Sequence, residues 1–99
     1  MAEQRQQRQV QIKIPDDILK GVSSNMMAIS HTREEFVLDF MNIFPAQGQG
    51  IMTARVVVTP GHMKRIVNAV KENIERYEKQ FGKIAEGPKP HDEIGFQTA

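Results

Sequence analysis

The groups in this 99-residue chain that can carry chemistry are three histidines, twelve carboxylates and the serines at 23, 24 and 30, with no cysteine at all. The missing thiol removes thiolate catalysis, disulfides and Cys-ligated zinc or iron–sulfur centres. His31, His62 and His91 are too far apart for the i,i+4 pair of a helical metal site, and they fall in an expected turn, a helix start and a tail. Glu34, Glu35 and Asp39 are close enough to suggest a carboxylate pair for acid–base work. On one strand, however, Glu35 and Asp39 stand about 13 Å apart at ~3.3 Å per residue, and Glu34 belongs to the turn before them. Ser23, Ser24 and Ser30 lack the elbow motif that exposes a nucleophile. No catalytic residue, metal ligand or cofactor site is expected.

One further stretch invites a chemical reading. Thr59-Pro60-Gly61-His62, followed by Lys64 and Arg65, places a helix start beside two cations, the setting in which a phosphate binds free amides. The Gly-rich span ending in Gly-Lys-Ser/Thr is absent, and Pro60 removes one amide. Thr59 is a favoured N-cap and proline suits the first helical position, so this corner reads as the junction between a strand and a helix.

The elements around these residues follow from periodicity. Val10, Ile12 and Ile14 alternate with Gln11 and Lys13, the pattern of a half-buried strand that Pro15 stops. Pro15-Asp16-Asp17 is turn chemistry. Residues 25–44 read as a β-hairpin, two apolar arms flanking His31-Thr32-Arg33-Glu34. Residues 45–50 form a loop, and residues 51–58 return to strand composition, with Met52, Ala54, Val56 and Val58 expected on one face. Met63, Ile66, Val67, Val70, Ile74, Tyr77 and Phe81 then recur at helical spacing over 60–81, opposite a charged face, until Gly82 stops the helix. Such a helix is about 33 Å long.

These elements predict an α+β domain: a four-stranded, mainly antiparallel meander followed by one long C-terminal helix packed on one face. Residues 1–8 read as a disordered arm, 9–83 as the single domain and 84–99 as a flexible tail in which Ile94 and Phe96 are the only docking candidates. With the helix over the face of Phe36, Leu38 and Phe40, the opposite face carries Ile51 and Thr53 together with the candidate set Val37, Asp39, Met41, Ile43, Arg55 and Val57. That is more apolar surface than a small monomer leaves wet, so these six residues form the expected interface of a homo-oligomer, a dimer or higher. Asp39 and Arg55 interrupt the apolar strands; the structural reading, that they pair across strands or mark an outward face, is preferred to a role in anchoring a partner.

Composition narrows the partners. A net charge of +1 lacks the excess of a phosphate-neutralising surface, so a nucleic-acid accessory role through Arg5, Arg8, Lys64 and Arg65 is the second reading, and an enzyme built at an oligomer interface the third. No apolar run approaches the ~20 residues that span a bilayer, and residues 1–9 lack the apolar segment of a signal peptide, so a cytoplasmic protein without membrane partners is expected.

The motifs "SSN" at 23–25, "SHTREEFVLDF" at 30–40, "ARVVVTPGHMKRI" at 54–66 and "NIERYEKQFG" at 73–82, in this order, resemble a family of short bacterial and archaeal proteins catalogued as a domain of unknown function. The resemblance covers roughly residues 10–83 and implies no activity. The order of strands and long helix is more distantly similar to the SecB-type export chaperones, oligomers that hold unfolded chains; that likeness implies a protein client. The reading that results is a small, oligomeric, non-catalytic binding or scaffold protein.

Overall fold

A computed structural model of the chain describes residues 8–87. It contains a short helix α1 (Asp16–Leu19), strands β1 (Met26–His31), β2 (Phe36–Phe44) and β3 (Gln49–Val58), and the long helix α2 (Pro60–Phe81). The strands form one antiparallel sheet in the order β1-β2-β3, with β2 in the centre. The hairpin expected over 25–44 is present; its turn closes through the Thr32 amide donating to the Glu35 carbonyl and the Glu34 amide donating to the Thr32 hydroxyl. The fold is α+β, with three strands rather than four among the described residues.

The missing strand is residues 10–14. They alternate as expected, yet they carry no strand pairing, and Val10 and Ile12 are 77% and 80% exposed. Alternation supplies a face to bury, but a strand exists only through a partner ladder, and these residues have none among the described residues.

Pairing also corrects the face assignment. Ala54 lies opposite Phe40 and Met52 opposite Met41, so Thr53 is an extra residue on β3, a β-bulge. One inserted residue reverses the alternation that follows it. Met52 therefore leaves the Ala54, Val56 and Val58 face and joins the face of Val37, Asp39 and Met41, while Ile51, opposite Asn42, moves the other way. The register aligns Met26, Met41 and Met52 in a row across all three strands. Gly50 lies opposite Ile43, and a Cβ there would come within 2.7 Å of Ile43 Cδ1, so the glycine makes room for a buried isoleucine.

The loop ahead of β1 is tied to the end of β2 by the Ser23-Ser24-Asn25 motif. The Asn25 side chain donates to the Ile43 carbonyl at 3.0 Å and accepts from the Ile43 amide at 2.8 Å, standing in for a backbone partner. Asn42 Nδ2 donates to the Ser23 carbonyl at 2.8 Å, and the Ser24 hydroxyl donates to the carbonyls of Met26 and Met41. Asn25→Ala leaves both Ile43 backbone groups partnerless in a part-buried setting and is expected to cost about 1–3 kcal/mol in urea unfolding at fixed protein concentration. A change under about 0.5 kcal/mol would mean that water replaces the amide without loss.

α2 begins and ends where the sequence places it. Thr59 is extended (φ −70°, ψ 157°), its hydroxyl accepts from the His62 amide at 3.3 Å, and Gly82 terminates the last turn at φ 94°. Its packing differs from expectation. No residue of α2 is buried, and the stripe beyond the first two turns is about half exposed, from Ile74 at 43% to Phe81 at 66%. The helix does not lie across its own sheet. Thr59 is the single residue between β3 and α2, and a residue before proline is held extended, so the corner carries the helix onward instead of folding it back. Among the described residues the buried hydrophobic side chains are Leu38, Ile43 and Val58, with none sealed completely.

Candidate functional site

Asp39 and Arg55, directly opposite each other on β2 and β3, form the one side-chain ion pair among the described residues. Arg55 Nε donates to Asp39 Oδ1 at 2.6 Å and Nη2 donates to Oδ2 at 3.1 Å, a two-point fork. The carboxylate side chain is 14% exposed and the guanidinium side chain 59%, so the acid is held against the sheet while the base reaches into solvent. The Arg55 hydrogen bond pulls the Asp39 pKa below the usual carboxylate range against the opposing effect of desolvation, and Asp39 in turn raises that of Arg55. This is the cross-strand pairing that the two interrupting charges suggest.

A lowered folded-state pKa fixes the sign of the pH dependence. The contribution of Asp39 is complete above the ordinary carboxylate range of about 4 and is lost as the pH falls through the lower folded value. The stability advantage of the wild type over Asp39→Asn is thus expected at neutral pH and should vanish on acidification, read by chemical denaturation across the acid limb. An advantage that grows as pH falls would contradict the pairing.

Around this pair lie the residues singled out as an interface. Val37, Met41 and Ile43 share the face with Asp39 on β2, and Val57 with Arg55 on β3; the bulge adds Met52. Val57 is 52% and Met52 46% exposed, Val37 and Met41 are half-buried, and Ile43 is buried against Gly50. The sheet thus brings all six together on one surface. Strict alternation places Met52 on the other face because a single-residue bulge has no composition signal; the Thr53 hydroxyl, which donates to the Phe40 carbonyl at 3.2 Å, marks it only in three dimensions.

The other chemically suggestive residues stay apart. His31 ends β1, not the turn, and stacks on Phe36 with ring centroids 5.4 Å apart. His62 lies in the first turn of α2, where Arg65 Nη2 donates to its Nδ1 at 3.2 Å. No group of three His, Asp or Glu side chains placed to hold a metal occurs among the described residues. Glu35 stands in the hairpin turn and precedes β2, apart from Asp39 within that strand. At the Thr59 corner the cap hydroxyl takes the His62 amide and the Thr59 carbonyl takes the Met63 amide, so the corner is a strand-to-helix junction. Of the basic residues considered for nucleic acid, Lys64 and Arg65 lie on α2 and Arg8 in the extended segment; Arg5, like His91, Ile94 and Phe96, lies outside the described residues. No described helix is long and apolar enough to cross a membrane.

The chain matches DUF3467, a family of proteins of unknown function, over residues 1–86, and belongs to that family. No curated protein and no solved structure matches it, and the SecB-type likeness gains no support from the comparisons.

Proposed function

We propose that this member of the DUF3467 family is a non-catalytic binding protein that works as a homo-oligomer and holds another polypeptide on one sheet face. The observation that carries this reading is the distribution of apolar surface. Two sheet faces and a 22-residue helix are built with apolar sides, yet among the described residues the buried hydrophobic core consists of Leu38, Ile43 and Val58. A chain of this size with so little core gains its stability from association.

The face of Val37, Asp39, Met41, Ile43, Arg55 and Val57 is the binding surface in this reading. Its methionine row is unbranched and polarizable, a surface that re-packs around differing apolar partners, and the Asp39–Arg55 fork gives it one fixed polar landmark. Holding unfolded chains is the specific activity such a face suits. Sedimentation equilibrium at micromolar concentration, combined with aggregation of a thermally unfolded client, tests both parts. An oligomer that delays aggregation, with the delay lost in Met41→Glu, is the expected result. A monomeric wild type removes the oligomer, and an unaltered aggregation rate removes the client.

A further inference from the structure

We infer that α2 of each copy lies on the Leu38 face of the other copy's sheet, so that two chains exchange helices and form a reciprocal dimer. The inference rests on the oligomeric reading above and specifies its geometry. Three observations support it.

The first is that helix and sheet each present an apolar side that is left partly uncovered. Val67, Val70, Ile74, Tyr77 and Phe81 form the uncovered stripe of α2. On the Leu38 face, Met27, Ile29, Val56, Phe44 and Ile51 are between 40% and 59% exposed. The stripe from Met63 to Phe81 is about 27 Å long at ~1.5 Å per residue, and nine-residue β2 about 30 Å at ~3.3 Å per residue, so one covers the other. Ten such side chains, each leaving on the order of 70–100 Å² in water, supply roughly the 800 Å² per partner that a standard interface buries.

The second observation selects the face. The Leu38 face holds His31, Asn42 and Gln49 but no Asp, Glu, Lys or Arg on any strand, whereas the opposite face carries the Asp39–Arg55 pair. An apolar stripe placed over the charged face would desolvate that pair; over the Leu38 face it desolvates no charge.

The third identifies the occupant as a second copy. α2 is joined to β3 by the extended Thr59 alone, with Pro60 after it, and the stripe of α2 stays uncovered by the sheet it grows from. A short, stiff corner that denies a helix its own sheet is the condition under which identical elements are exchanged between chains. Each chain then supplies one helix and one sheet face, and two-fold symmetry satisfies both at once.

The cysteine-free sequence makes the test direct. Chains carrying only Ile29→Cys and chains carrying only Val70→Cys are mixed, unfolded, refolded together and oxidised, and Val67→Cys, Ile74→Cys and Val56→Cys extend the set. The expected product is a covalent dimer of unlike chains, resolved by mass, and the double variant Ile29→Cys/Val70→Cys closes into a dimer. Inserting Gly-Ser-Gly-Ser between Thr59 and Pro60 frees the helix to fold back, so dimerisation should weaken at least tenfold. An internally closed monomer of the double variant overturns the exchange, as do cross-links confined to Val70–Val70 or an insertion variant that dimerises as tightly as the parent. A dimer by sedimentation without any unlike-chain cross-link overturns the exchange and leaves the oligomer standing; a monomer removes both.

Discussion

Replacing Val70 and Ile74 together with glutamate is expected to abolish assembly and cooperative unfolding at micromolar concentration. Both side chains sit in the middle of the α2 stripe, 51% and 43% exposed in the single chain. If that exposure persisted in solution, two glutamates on a helix surface would be nearly neutral, within about 0.5 kcal/mol each. In a dimer whose core is completed by the stripe, each substitution forfeits roughly 1.5–3 kcal/mol of apolar burial and adds the cost of bringing a carboxylate out of water. About 4 kcal/mol or more is close to a thousandfold in dissociation constant. Circular dichroism against concentration, with sedimentation of the same samples, reads both losses. A double variant that unfolds like the wild type would establish that the stripe faces water.

Leu38→Ala carries the second large effect. Leu38 is 7% exposed on the central strand β2, flanked by Ile29 and Val56 on the neighbouring strands. It is one of three buried apolar side chains, so the sheet has little else to collapse into the space it leaves. A loss of about 3–5 kcal/mol is expected in urea unfolding, the upper part of the range for buried leucines. Ile12→Ala, in the extended segment, should shift stability by no more than about 0.5 kcal/mol. Equal losses at the two positions would place residue 12 in a ladder that the single chain does not form.

The sequence conveys those parts of the fold that depend on local pattern. The hairpin arms, β3 and α2 are legible because period-two and period-3.6 spacing is intrinsic to the strand and the helix, and the Thr59-Pro60 start and Gly82 stop follow from backbone chemistry. The Asp39–Arg55 pair is legible because two opposite charges interrupt otherwise apolar strands. What pattern does not convey is the identity of the surface that covers each face. Residues 10–14 have the alternation of a strand and no partner, and the α2 stripe announces burial without naming its cover. Thr53 shifts Met52 and Ile51 to opposite faces by a single insertion that leaves composition unchanged. The structural part of Asn25 has no signal in the sequence, because an asparagine at a strand entrance looks like any loop residue until its amide meets Ile43.

The methionine row also bears on the chemistry of oxidants. Met26, Met41 and Met52 stand in register across the three strands, with Met52 46% exposed at one end. Thioethers are the groups on this face that change polarity without a change of sequence, since peroxide converts each to a polar sulfoxide and methionine sulfoxide reductases reverse it. Met52, the most exposed residue of the row, is expected to react first, and each added oxygen makes the face more polar. The polarity of this sheet face thus follows the redox condition of the solution around it.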